Sequence, residues 1–253
     1  MMFEKPFLLV FLIAFAANAQ QAEKDSLSDS ATANKNTFHY KPLIIPAVLI
    51  GYGILGIGND QLIGFNKQIR SEVTEDIDEK ISIDDFSQYA PMAAVYGLNA
   101  VGIAGKNNLK DRTIIMATSY LIMSSTVLAL KSVTKIERPD GSSNNSFPSG
   151  HTATAFAGAE FMWQEYKDQS IWYGISGYAI ATGTGIFRMY NNRHWLTDVA
   201  AGAGIGILST KIAYWIAPYI ENKLFSSKEN KVSSMVAPFY NGKQAGCGIV
   251  IRF

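Results

Sequence analysis

Between Arg112 and Lys131 lie eighteen consecutive residues without a charge, TIIMATSYLIMSSTVLAL, and this run constrains the fold more than any other stretch. As a helix it rises about 27 Å, close to the ~30 Å of a bilayer's hydrocarbon layer, which makes it the strongest spanning candidate in the chain. Five further apolar stretches surround it: Pro42 to Gly58, Pro91 to Gly105, Thr152 to Trp163, Ile171 to Phe187 and Val199 to Pro218. The first two are ambiguous, because Pro46 and several glycines interrupt one and Asn99 sits in the other. Gly and Ala recur throughout (GAGIGIL, GTGIF, AFAGA), as expected where helix backbones pack closely. The pattern predicts an all-α bundle of about six apolar helices. Only the tail, Val232 to Phe253, changes character: MVAPFY and GIVIRF flank Asn241-Gly242, the signature of a β-hairpin.

Charge and cysteine content narrow the function classes. Hydrophobic residues make up 48% of the 253 positions and charged ones 17%, below the roughly 25% of soluble domains, yet the mean hydropathy of +0.07 is modest for a chain wholly in lipid. Lys and Arg (22) balance Asp and Glu (21), so no basic excess suggests a nucleic-acid partner. The single cysteine, Cys247, excludes an internal disulfide framework and a cysteine-based metal cluster. At the start, Lys5, the apolar run Phe7 to Phe15 and Ala17-Asn18-Ala19 read as an export signal over residues 1–19. The division expected from there is a flexible exported tether (20–42), a helical domain (43–220) and the tail (221–253).

The chemistry gathers between the third apolar stretch and the last. Lys131 is followed after six residues by Arg138-Pro139; Asp140 to Ser146 forms a polar loop; Phe147-Pro148-Ser149-Gly150-His151 opens a helix; then come Arg188, His194 and Asp198. A histidine alone in apolar sequence is usually a hydrogen-bonded structural residue, but these two have unusual company. Three cations, Lys131, Arg138 and Arg188, at apolar helix ends are costly unless an anion neutralises them. Arginine offers a planar donor fork matched to phosphate oxygens, and lysine a point charge. Ser149 and Gly150 start a helix, where backbone N–H groups and the dipole favour a phosphate. His194 and Asp198, at i and i+4 on one helix face, can share a proton so that the other imidazole nitrogen is free to attack. A protonated His151 can serve the leaving oxygen.

These three blocks, Lys131-x6-Arg138-Pro139, Pro148-Ser149-Gly150-His151 and Arg188-x5-His194-x3-Asp198, resemble the three-part signature of the type 2 phosphatidic acid phosphatase superfamily, which also contains bacterial non-specific acid phosphatases and vanadium haloperoxidases. The spacings and order match; Phe187 departs from the serine usual before the third block's arginine. The resemblance implies His194 as nucleophile forming a phosphohistidine, Asp198 as its orienter and His151 as acid and then base. It implies Lys131, Arg138, Ser149, Gly150 and Arg188 as phosphate ligands, with no metal and no cofactor. The apolar flanks favour a lipid or polyprenyl phosphate as substrate, in a membrane, over a soluble periplasmic acid phosphatase; a vanadate-dependent haloperoxidase is a remote third reading. Phosphatidate, phosphatidylglycerophosphate, undecaprenyl pyrophosphate and lipid A phosphate present the same phosphoryl group.

Other features take plainer readings. Trp163, Trp172, Trp195 and Trp215 mark packing or a membrane interface, Lys211 snorkels from its apolar helix, and the acidic run Glu72 to Asp85 is a solvated face. The loop Lys106 to Arg112, with three cations against Asp111, belongs in the cytoplasm by the positive-inside tendency. With residue 20 exported and the site facing the periplasm of the bacterial envelope, only one of the stretches Pro42 to Gly58 and Pro91 to Gly105 is expected to cross.

Overall fold

A continuous helix forms at the first ambiguous stretch despite its proline. In the computed structural model, which describes residues 41–74, 82–225, 233–240 and 245–252, a short 3₁₀ turn (Lys41–Leu43) leads into α1 (Ile44–Gly58). Pro46 stands in its first turn, where an N–H has no intrahelical acceptor to lose. Then follow α2 (Asp60–Thr74), α3 (Ile83–Ser87), α4 (Ala90–Ala100), α5 (Leu109–Thr134), α6 (Gly150–Tyr166), α7 (Ile171–Tyr190) and α8 (Leu196–Phe225). The expected all-α bundle is found: α1, α4, α5, α6, α7 and α8 carry the six apolar stretches, and α2 and α3 are polar additions. Helix α8 runs past residue 220 to Phe225, with Pro218 inside it. The strands β1 (Ser233–Tyr240) and β2 (Ala245–Arg252) pair antiparallel from Ser233 with Arg252 to Tyr240 with Ala245. The Asn241-Gly242 turn and the export signal and tether at residues 1–40 lie outside the described residues.

Helices α6 and α8 form the centre. Helix α6 packs against α4, α7 and α8, while α8 also receives α1 and α5. Close contact between the two depends on glycine: a Cβ on Gly202 would lie 2.5 Å from the Ser149 carbonyl oxygen, and one on Gly206 would lie 2.8 Å from the Ala157 nitrogen. Alanines at 153, 155, 157 and 159 on α6 are fully buried opposite. This approach brings the start of α6 against the start of α8, and with them Ser149 against Asp198. On the outer faces, Val48, Leu55, Leu121 and Leu128 are each more than 60% exposed. Lys41–Gly58, Leu109–Thr134 and Leu196–Lys223 are long and apolar enough to cross a membrane.

The path of the chain corrects the expected topology. Gly56 touches Thr197 while Gly204 touches Pro46 and Ile50, so α1 runs antiparallel to α8 and ends beside its start. The chain stays at that end through α2 and α3. Helix α4 then carries it back: Ser87 bonds Thr184, whereas the carbonyls of Val95 and Ile103 accept from Tyr166 at the far end of α6. Helix α4 is only 11 residues, packed on α6 rather than a full span. Even so, Lys41 and Lys106 come to the same end of the bundle, and the signature residues to the other. Export of residue 20 and a cytoplasmic Lys106 loop are therefore not both met, since residues 20–40 contain no apolar run that could cross ahead of α1.

Two buried ion pairs stabilise the interior away from the signature residues. Glu165 accepts from Arg112 Nε at 3.2 Å and from the Tyr214 hydroxyl at 2.6 Å; Glu160 accepts from Lys211 Nζ at 2.7 Å and from the Tyr178 hydroxyl. Lys211 thus does not snorkel. With Glu160 2% exposed beside it, the ammonium lowers its energy more by pairing inside than by reaching out.

Candidate active site

The site lies where the start of α6, the end of α7 and the start of α8 meet the loop between α5 and α6. Ser149 caps α6, its hydroxyl accepting from the Thr152 N–H, so Gly150 and His151 occupy the first turn. Arg188 ends α7. His194 falls in the short connection that follows, before α8 begins at Leu196, so it does not share a helix face with Asp198 as expected. The pair still meets: Asp198 turns back to accept from the Trp195 N–H at 2.9 Å, which brings its Oδ2 to 3.6 Å from His194 Nδ1. Both side chains are about 2% exposed.

At 3.6 Å the two are too far apart for a direct hydrogen bond. Ser146, fully buried in the polar loop, fills the gap: its hydroxyl donates to Asp198 Oδ2 at 2.5 Å and lies 3.4 Å from His194 Nδ1. Sequence reasoning saw a polar loop here without singling out Ser146, because nothing in its spacing marks it. The loop is itself held by Lys131, whose ammonium donates to the carbonyls of Asn145 and Ser146, and by Arg193, which bonds Asp140 at 3.1 Å.

The three cations come together as expected. Lys131 and Arg188 both act electrostatically on His194, and Arg188 acts on Arg138 and His151. Arg138 and Arg188 each carry a buried Nε–H with no acceptor, which costs about 1–3 kcal/mol per group and suits a site that receives oxygen ligands. Ser149 differs from expectation: its hydroxyl is taken by the cap and by Thr152, and its N–H donates to the Asp198 carbonyl at 3.0 Å. Its observed role is to join α6 to α8. Gly150, at the first helical position, keeps an N–H that needs no intrahelical partner. Phe187, in the place of the usual serine, packs edge-on against Tyr190 at 6.0 Å.

Two residues from the acidic run also belong here. Asp84 is 1% exposed, accepting from Arg188 Nη1 at 2.5 Å and from Asn191 at 2.9 Å. Asp85 accepts from His151 Nε2 at 2.9 Å. The solvated-face reading of Glu72 to Asp85 is therefore overturned at Asp84, whereas Asp85 is exposed and still pairs with His151. Helix α3 folds back onto α7, a contact 104 residues apart in sequence for Asp84 and Arg188. With His151, these carboxylates offer three ligand atoms within 4.8 Å of one another. Arg188 already takes one of the two carboxylates, which weighs against a resident cation.

Burial lowers the His194 pKa to about 4, with Lys131 and Arg188 pushing the same way and Asp198 opposing. Burial and Arg188 lower that of His151 too, against Asp85 and Asp84. His194 is thus neutral in the fold where a free histidine, near 6.5, would take a proton. Its contribution to stability is whole above about pH 6.5 and is lost as pH falls toward 4, because the unfolded chain binds the proton first. In kcat/KM, a neutral His194 and a charged His151 coexist only on the acid side of neutrality. A bell-shaped profile with its acid limb near pH 4 and its alkaline limb below 6.5 is the expected result of steady-state assays. An acid limb at or above 6.5 would contradict this assignment.

Residues 112–221 match the model of the PAP2 superfamily. The chain is 38% identical over 170 residues to the lipid A 1-phosphatase of Porphyromonas gingivalis, covering 64% of this chain and 38% of that protein. It is 33% identical over 100 residues to the bacitracin transport permease protein BcrC of Bacillus licheniformis, covering 39% of this chain and 47% of that protein. It spans less than half the length of either relative. Among solved structures it is similar to LpxE of Aquifex aeolicus (TM-score 0.47, 20% identity, 60% of this chain and 95% of that one). It is also similar to a transmembrane PAP2 type phosphatidylglycerolphosphate phosphatase of Bacillus subtilis (TM-score 0.46, 19% identity, 75% and 100%).

Proposed function

We propose that this chain, whose residues 112–221 match the PAP2 superfamily, is a metal-independent phosphatase of a lipid or polyprenyl phosphate. The observation that carries the reading is a buried, neutral imidazole held beside a carboxylate and ringed by three cations, two of which have unsatisfied Nε–H groups. Phosphoryl transfer through a histidine gives every member of such a set a use. His194 attacks phosphorus and forms a P–N bond; Asp198, through Ser146 and directly, balances the charge that develops on the ring. His151 gives its proton to the leaving oxygen and later takes one from the attacking water. Lys131, Arg138, Arg188 and the Gly150 N–H hold the equatorial oxygens as their charge grows. Ser149 supports this cradle by fixing α6 to α8.

The substrate's lipid character rests on the membrane. The chain is a membrane protein in which, among the described residues, three helices are long and apolar enough to cross, and the relative with 38% identity is by name a lipid A 1-phosphatase. Released phosphate, measured on purified protein in detergent against lipid A, phosphatidate, phosphatidylglycerophosphate, undecaprenyl pyrophosphate and a water-soluble phosphate ester, tests the reading. Turnover of one or more lipids at least ~10-fold above the soluble ester is expected. A preference for the soluble ester would favour a general acid phosphatase, and no turnover of any would end the proposal.

The site faces the periplasm in this reading. The opposite end of the bundle carries Lys41, Lys106, Lys110 and Lys167 against Asp111 and Asp168, the balance that the positive-inside tendency keeps in the cytoplasm. Single cysteines at Ser143 and Gln169, in a Cys247→Ser background, report the two ends. A thiol reagent that cannot pass the inner membrane should label position 143 and spare 169. The reverse pattern would turn the site to the cytoplasm and favour simple export of residue 20.

A further inference from the structure

His151 pairs with a carboxylate that stands outside the signature. Its Nε2 lies 2.9 Å from Asp85 Oδ1, with 30% of the histidine side chain and 55% of the aspartate side chain exposed. An exposed carboxylate does not hold a position by itself, yet this one has a firm footing. The adjacent Asp84 is buried and bonded to both Arg188 and Asn191, and Ser87 at the other end of α3 bonds Thr184 at 2.8 Å. Two bonds to α7 and one to Asn191 just beyond it therefore fix a helix of only five residues, and Asp85 projects from it toward His151.

We propose that Asp85 is a positioning residue for His151: its carboxylate orients the imidazole and supplies the counter-charge that keeps a proton on the ring until the leaving oxygen takes it. This rests on the phosphohistidine reading above. In the first step the P–N bond to His194 forms and the P–O bond to the leaving group breaks. The bond's electron pair stays on the leaving oxygen, which takes the imidazolium proton. In the second, His151 takes a proton from water as that water's oxygen attacks phosphorus and the P–N bond breaks. Asp85 gains and loses nothing; it makes the charged ring affordable beside Arg188. The charged groups facing His151 are Arg188 from α7, which opposes its protonation, and Asp84 and Asp85 from α3, which favour it. Asp84 holds Arg188 at 2.5 Å, and Asp85, 3.9 Å from the same guanidinium, makes its shorter contact, 2.9 Å, with the imidazole.

Proton donation matters when the leaving group is a poor one, and this separates a positioning role from a structural one. The experiment compares kcat/KM of the full-length wild type, Asp85→Asn, Asp85→Glu and His151→Ala on an alkyl phosphate and on p-nitrophenyl phosphate. Thermal unfolding of each variant is followed in the same detergent. Asp85→Asn should lose ~10- to 100-fold on the alkyl phosphate and less than ~3-fold on the aryl one, with its alkaline limb moved to lower pH and partial recovery in Asp85→Glu. His151→Ala should show the same substrate dependence more strongly. If His151→Ala discriminates between the substrates while Asp85→Asn loses equally on both or on neither, the positioning role is wrong and the general-acid reading stands. If His151→Ala itself does not discriminate, the general-acid reading fails and the proposal with it.

Discussion

His194→Ala is expected to lower phosphate release by ~10⁴-fold or more, since it removes the atom that attacks phosphorus rather than a group that assists. The buried position fits the proposed role: an imidazole at 3% exposure among cations that oppose its protonation is kept neutral, the form a nucleophile needs. A wild-type reaction on ³²P-labelled substrate, quenched in alkali with denaturant, should carry label that survives base, is lost in acid and maps to His194. His194→Gln, which keeps volume and one polar atom, should fold and remain unlabelled. Label on serine, or more than about 1% of wild-type turnover in both variants, would contradict the mechanism.

Arg188→Ala is expected to have the second largest effect, and it acts on two levels. Asp84 is 1% exposed and its ion pair with Arg188 is buried, so removing the guanidinium leaves an uncompensated charge, a loss of about 3–5 kcal/mol. Activity should fall by ~10³-fold as well, because the proposed mechanism loses a phosphate ligand. The double variant Arg188→Met/Asp84→Asn distinguishes the two. It removes both charges, keeps much of the volume and allows Asn191 to bond the new amide, so the unfolding temperature should recover most of the way while activity does not. Recovery of both together would make Arg188 a structural residue only, and recovery of neither would show that the carboxylate at position 84 is needed for more than matching Arg188.

These expectations draw on features that were unequally visible in the chain. Lys131, Arg138, His151, Arg188, His194 and Asp198 could be named from residue type and spacing, because cations and histidines at the ends of apolar helices are costly without an anion to meet. Four of the six apolar helices were as plain, since a run such as that from Arg112 to Lys131 has few other ways to satisfy its backbone, whereas the stretches that form α1 and α4 were ambiguous. Ser149 carries a duty that the sequence did not show: packing sets its hydroxyl as the cap of α6 and gives its backbone N–H to the Asp198 carbonyl.

What the tertiary structure alone decided is how distant polar residues pair. Ser146 gains its place between His194 and Asp198 because Lys131 and Arg193 fold the loop inward; in the sequence it is one serine among several. Asp84 and Asp85 read as solvated because neighbouring acidic residues repel and hydrate, and no local pattern reports that Arg188, more than a hundred positions away, waits to neutralise one of them. Lys211 read as snorkelling until α6 brought Glu160 to it. Local sequence determines which groups cannot be left bare in an apolar interior, since that cost depends on the group itself. Which partner meets the need depends on helix packing, here on Gly202 and Gly206 admitting α6 against α8, and that is a property of the folded chain.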